Sequence, residues 1–199
     1  VPDDQTVKYH AELRAGFERD FDCSISNWSQ YAEKFYYKKM ASQDHWLKAG
    51  DSTVEMCFII SGLLRVYYID QAGNEVNQHF YQAGEVVAPV SAIVNDEPCQ
   101  YFVQALENTE LMLADYKALY NTGINDPEWL RLELKMLQRV FVKSARREAR
   151  LLLGNAELRY KWFCKEYPEL VERLTQYHIA SFLGITPVSL SRLRNKLSK

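Results

Sequence analysis

The apolar residues of this chain change their spacing twice. From Trp46 to Leu113 they fall in short β-branched and aromatic runs, among them "MCFIISG", "LLRVYYID" and "NQHFYQ", each bounded by turn residues. Runs of this kind predict strands. Gly50, Gly62, Gly73 and Gly84 punctuate them at intervals of 12, 11 and 11 residues, in the settings "KAGD", "ISG", "DQAGN" and "QAGE". Turns at that spacing predict an all-β sandwich, barrel or jelly roll. "DQAGN" lies between "RVYYI" and "EVNQHF" and reads as a hairpin loop, with Gly73 supplying a positive φ. The preceding stretch, Val7 to Met40, is mixed and partly helical in character.

Past Asp126 the spacing becomes helical. Asp126 can cap a helix, Pro127 fits its first turn and Glu128 suits the positive end of its dipole. Gly154 and Asn155 form a stop, with Asn155 also able to cap the next helix. The result is a helix of roughly 27 residues, about 40 Å long. It carries two apolar stripes. Leu130, Leu134, Leu137 and Phe141 follow steps of 4, 3 and 4, a heptad seam; Leu132, Met136 and Val140 make the second. Two stripes predict two partners, the helix's own β module and a second copy of the chain, because one long helix between small modules leaves a stripe uncovered; the Leu130, Leu134, Leu137 and Phe141 seam is the expected dimerisation face.

The third spacing closes the chain. In "IASFLGITPVSLSRLR" the apolar positions Ile179, Leu183, Ile185, Leu190 and Leu193 can hold two short helices together. Ala180 is small enough for close approach, and Gly184, four residues later, can take the left-handed turn conformation. Thr186 can cap the second helix and Pro187 can open it. Thr186, Val188, Ser189, Ser191, Arg192, Arg194, Asn195 and Lys196 are then the candidates for contact with a ligand. Hydroxyls, a guanidinium, an amide and an ammonium on one helix suit base edges and phosphates of double-stranded DNA, so the pair reads as a helix-turn-helix.

Charge sharpens the division. The formal net charge is −2, but residues 1–130 hold nine Lys/Arg against twenty Asp/Glu, a balance of −11, while residues 131–199 hold fifteen against six, a balance of +9. An acidic front and a basic rear predict modules with different partners, the basic one facing phosphates.

Other chemistries find little support. Cys23, Cys57, Cys99 and Cys164 are scattered without a CxxC pair, which suits free thiols in a reducing compartment. His10, His45, His79 and His178 show no HxH or HxxxxE spacing, so no metal site is expected in the jelly-roll-like region, and His79 is expected to be partly exposed. No P-loop, dinucleotide fingerprint or Ser/His/Asp order is present, so neither an enzyme nor a cofactor is expected. No apolar run approaches the roughly 20 residues of a membrane span, and the first residues lack a secretory pattern; a cytoplasmic location is expected.

β-rich module, long helix, helix-turn-helix: in this order the chain resembles the Crp–Fnr family of bacterial transcription regulators. "AGDSTVEMCFIISGLLRVYYIDQAGNEVNQHFYQAGE" looks like the family's β-roll. "RYKWFCKEYPELVERLTQYHIASFLGITPVSLSRLRNKL" is the more specific part and is close to Bacteroidetes-type members. The resemblance implies an α+β chain: a jelly-roll-like, cyclic-nucleotide-binding-like effector domain over residues 1–126, a dimerisation helix over 127–153 and a helix-turn-helix DNA-binding domain over 154–199. It implies a homodimer that binds DNA and a small-molecule effector.

Two departures from the family pattern stand out. Cyclic-AMP binders hold the ribose with a Gly-Glu pair and the phosphate with an Arg followed by Ser or Thr. Here Ala88 and Pro89 fall at the first place and Cys99 and Gln100 at the second, and residues 86–102 hold no Lys or Arg. These four residues mark the expected effector pocket, which lacks the means to neutralise a cyclic phosphate. In the reading helix the usual Glu is replaced by Val188, while Arg192 matches, so the operator is expected to differ from the family's familiar site. The sequence here ends at Lys199, and no wing hairpin is expected after this helix. The rival expectation is a sensing or protein-interaction module that has lost DNA binding.

Overall fold

The structure, a computed structural model, describes residues 4–197, with side chains from Lys8 onward. The first three residues, part of the stretch read for a secretory pattern, and Ser198 and Lys199 lie outside the described residues.

The chain opens with helices α1 (Asp4–Phe21) and α2 (Trp28–Ala32). The β module follows: β1 (Phe35–Met40), β2 (His45–Leu47), β3 (Glu55–Ser61), β4 (Leu63–Ile69), β5 (Glu75–Gln82), β6 (Val86–Val87), then helix α3 (Val90–Asn95), β7 (Phe102–Ala105) and β8 (Thr109–Asp115). Helix α4 (Tyr116–Gly123) leads into the long α5 (Pro127–Leu153). The chain closes with α6 (Ala156–Glu166), α7 (Leu170–Arg173), α8 (Gln176–Leu183) and α9 (Pro187–Leu197). This is the α+β architecture expected from the sequence.

The strands form two four-stranded sheets, ordered β1-β8-β3-β6 and β2-β7-β4-β5. β8 pairs antiparallel with β1, Phe35 opposite Ala114 and Met40 opposite Thr109, and with β3, Met56 opposite Ala114 and Phe58 opposite Met112. The first sheet is covered on both faces. Met56, Phe58, Met112 and Ala114 join Leu13, Phe17, Trp28 and Tyr31 in one core. Their neighbours Cys57, Ile59, Leu111 and Leu113 face the other way, into a core with Leu64, Val66, Val103 and Ala105 of the second sheet. Burial on two faces is why β3 and β8 read as unbroken apolar runs instead of alternating ones.

All four spaced glycines adopt positive φ, between 84° and 104°. Gly62 also needs its missing side chain: a Cβ there would lie 2.4 Å from Thr109 Oγ1. The "DQAGN" loop closes as read. Asp70 N and Asn74 O pair at 3.0 Å, and the Asp70 carboxylate accepts from the amides of Ala72 and Asn74.

The chain divides into two compact units. The first is the chain up to Val66 together with Phe80–Gln138; the second is Tyr67–His79 together with the chain from Arg139 onward. The tip of the β4–β5 hairpin is therefore grouped with the C-terminal helices.

Helix α5 spans 27 residues with Pro127 first, and the Asp126 carboxylate accepts from the Glu128 amide at 3.0 Å. Its stripes differ in burial. In the first unit Trp129 and Leu132 are buried and Met136 packs on the same core, whereas Leu130, Leu134 and Leu137 are exposed. In the second unit Val140 and Phe141 are both exposed, so the second stripe is covered only over its first two positions. Gly154 and Asn155 end the helix, and Asn155 caps α6 through its side chain and the Leu158 amide.

Candidate nucleic-acid interface

The second unit is built around an aromatic cluster. Phe182 of α8 packs against Trp162 and Phe163 of α6 and against Tyr167, with ring centroids 5.5–6.0 Å apart. Ile179, Ala180, Leu183 and Leu190 are buried beside it, and together they seat α9 on α8. Thr175 caps α8, accepting from the His178 amide. Gly184 ends α8 with φ 66° and ψ 38°, the left-handed conformation in which a Cβ is strained. Two residues later Thr186 Oγ1 accepts from the Ser189 amide at 3.1 Å and caps α9.

The candidate contact residues are not equivalent. Val188, Arg192 and Asn195 are exposed, and Arg192 makes no hydrogen bond or ion pair among the described residues. The Thr186 and Ser189 hydroxyls are already engaged, 2.9 Å from each other. Ser191 is half-buried. Arg194 is half-buried, and its charge acts on the Tyr160 hydroxyl. Lys196 is exposed but donates to Glu157 at 2.9 Å. Glu157 also accepts from Lys161 at 2.8 Å, and the two ammonium groups hold its carboxyl down to about 2.

The basic surplus of the rear half is thus partly spent inside the protein. Arg147 donates through Nη2 to Asn77 O at 3.0 Å and to Phe182 O at 3.3 Å, and it lies 4.9 Å from the Phe182 ring. Arg159 donates to the carbonyls of Gly154, Leu151 and Leu183. The sequence reading missed both, because nothing in the spacing of an arginine distinguishes one that serves carbonyls from one that serves phosphates.

It also missed the contact of the hairpin with α8. Asn77 is fully buried. Its amide donates to Ser181 Oγ at 2.9 Å, Ser181 Oγ donates to Glu75 O at 2.8 Å, and Asn77 Nδ2 donates to His178 O at 3.1 Å. One serine therefore serves two backbone groups of the edge strand β5, which would otherwise be open. His79 corrects an expectation of partial exposure: it is 3% exposed, with Nε2 3.4 Å from Ser144 Oγ. Burial, together with the charges of Lys143 and Arg147, drops its pKa to about 3.

In the first unit, Ala88 is half-buried and packs at the edge of a hydrophobic core, Pro89 is buried, and Gln100 is exposed. Cys99 is buried, with its amide on Asp51 O at 2.9 Å and its thiol on Tyr101 O. Between the two pairs the chain forms α3, closed by Asp96 at φ 56°. Two surface cavities of the unit, of about 320 and 490 Å³, are lined by none of these four residues. Among the described residues no three His, Cys, Asp or Glu side chains gather as a metal would need, and no helix is long and apolar enough to cross a membrane.

Residues 37–123 match the cyclic nucleotide-binding domain. The fumarate and nitrate reduction regulatory protein of Vibrio cholerae is 30% identical over 165 residues, covering 76% of this chain. The chain is thus similar to a regulator of this kind and carries part of the cyclic nucleotide-binding domain pattern. It spans 64% of the length of that Vibrio relative. Solved Crp–Fnr structures share its fold: the c-di-GMP-responsive global regulator CLP of Xanthomonas campestris superposes with a TM-score of 0.71 at 14% identity, covering 85% of this chain and 89% of that one. A CooA mutant from Carboxydothermus hydrogenoformans superposes at 0.72 with 18% identity, covering 87% and 81%.

Proposed function

We propose that this chain is a DNA-binding transcription regulator of the Crp–Fnr type that acts as a homodimer and has no enzymatic activity. The observation that carries the reading is the α8–α9 pair: a left-handed Gly184 between a buried Ala180 and a Thr186-capped α9, with Val188, Arg192 and Asn195 exposed. That arrangement is what a helix needs to enter a major groove with its first turns against base edges. On this reading Ser189, Ser191 and Arg192 lie in the major groove, Arg192 contacting a base, Val188 meets a thymine methyl, and Arg194 and Lys196 lie nearer the backbone. The exposed Leu130, Leu134, Leu137 and Phe141 are the seam between two copies of α5.

The effector domain takes residues 1–126, the dimer helix 127–153 and the reading domain 154–199. The pocket around Ala88, Pro89, Cys99 and Gln100 does not hold cyclic AMP, because it offers neither the Glu for a ribose nor the Arg for a phosphate. The domain takes a different small-molecule effector or none.

One set of observations favours the rival, a sensing or interaction module without DNA. The hydroxyls of Thr186 and Ser189 are spent on the cap, and Lys196 is held by Glu157. Selection of bound fragments from random duplexes decides between the two. Enrichment of a palindrome supports a dimeric reader, and no enrichment at low salt leaves the rival.

A further inference from the structure

Arg159 sits on α6, behind the turn of the two-helix motif, and uses three of its donors on backbone carbonyls. Nε donates to Gly154 at 2.8 Å, Nη2 to Leu151 at 2.8 Å and Nη1 to Leu183 at 3.0 Å. Leu151 lies in the last turn of α5, Gly154 directly follows that helix, and Leu183 is the last residue of α8. Carbonyls at helix C-termini have no partner within their own helix, and they are the negative ends of the helix dipoles. One guanidinium therefore ties the ends of α5 and α8 together.

The surroundings make the tie stiff. Only Gly154 and Asn155 separate α5 from α6. A Cβ at Gly154 would come within 2.7 Å of Arg150 O, and one at Gly184 would lie 3.5 Å from Arg159 Nη1. Arg147 reaches the neighbouring carbonyl of α8, Phe182 O, from α5 itself.

We infer that Arg159 is a positioning residue that sets the angle of the helix-turn-helix on the end of α5, and so the half-site spacing that a dimer accepts. The inference rests on the dimeric DNA-binding reading above and adds to it a determinant of specificity that touches no DNA. A guanidinium presents its donors in fixed directions, so three simultaneous bonds define an orientation; a lysine ammonium on a flexible stem cannot reproduce the fork. Each added base pair turns one half-site by about 34° about the duplex axis. A stiff joint cannot follow that turn, and a loosened one can.

The test uses the full chain on duplexes carrying the selected half-sites at their preferred spacing and with one base pair added or removed. Affinities are measured by fluorescence anisotropy at several salt concentrations. The wild type should favour its preferred spacing by about tenfold or more. Arg159→Gln should lose about tenfold at that spacing and little at the altered ones, so that the preference collapses to about threefold or less. Arg159→Lys should not rescue the preference, and it carries the test if circular dichroism shows the Gln variant unfolded. The salt slope should stay unchanged, because Arg159 holds carbonyls and not phosphates. A wild-type spacing profile in the variants, full rescue by Lys, or a slope lower by about one unit per subunit would each overturn the inference. A wild type that binds no duplex would instead reject the DNA-binding reading, and this inference with it.

Discussion

Replacing Leu134 and Leu137 together by lysine should convert a dimer into monomers. Leu134 is 55% exposed and Leu137 is 44% exposed in the isolated chain, so the two leave the equivalent of about one whole leucine uncovered per copy, or two per dimer. Burying a leucine fully is worth about 1.5–3 kcal/mol, so the pair contributes about 3–6 kcal/mol to association. Losing that weakens the dimer by about a hundred- to ten-thousandfold. Four ammonium groups facing one another across the seam add repulsion. Leu130 and Phe141 remain, but the association cost of about 4 kcal/mol or more must be met from what is left. The fold itself should survive, because α5 is anchored by Trp129 and Leu132, which are buried in the first unit. Sedimentation velocity at micromolar concentration should show dimer for the wild type and monomer for the variant, with matching circular dichroism. A wild type that is monomeric throughout, or a double variant that stays dimeric, refutes the assignment of this stripe.

Calorimetric titration with cyclic AMP should show no useful affinity, since the missing charge-assisted contact costs about 2–5 kcal/mol at a buried site; a low-micromolar dissociation constant would refute the reading of residues 86–102. Arg192→Ala should weaken operator binding by about 1–3 kcal/mol and relax one base pair per half-site, whereas Lys196→Ala should act smaller and alike on all sequences, because Lys196 must first leave Glu157. Equal effects of both on specific and scrambled duplexes would sink that division of roles. His79 stays neutral in the folded protein, with its pKa lowered from 6.5 to about 3, so the stability it confers is complete above about pH 6.5 and is lost as the pH falls towards 3. Compared with a His79→Gln variant, the wild type should therefore lose more stability on acidification through that window; parallel pH profiles in thermal melts would contradict the burial argument.

The features that were legible in the sequence are those that a few neighbouring residues decide. The positive φ at Gly50, Gly62, Gly73 and Gly84, the bounds of α5 at Pro127 and Gly154, the Asn155 and Thr186 caps and the left-handed Gly184 all follow from local backbone sterics and orphan amides near each residue. Amphipathic spacing likewise announced two stripes on α5. How far each stripe is covered depended on contacts from elsewhere in the chain: the tertiary structure buries Leu132 and leaves Leu134 exposed, but it leaves Val140 of the second stripe exposed too. The same holds for His79, whose alternation with Phe80 suggested an outward side chain until α5 covered it with Ser144. It holds most for charge. Composition counts Arg147, Arg159 and Lys196 alike, yet two of them are committed to helix-end and hairpin carbonyls and the third to Glu157. A side chain's charge is local information, but its partner is chosen by whichever chain segment folding brings within about 3 Å, and that choice is made by packing between residues far apart in sequence.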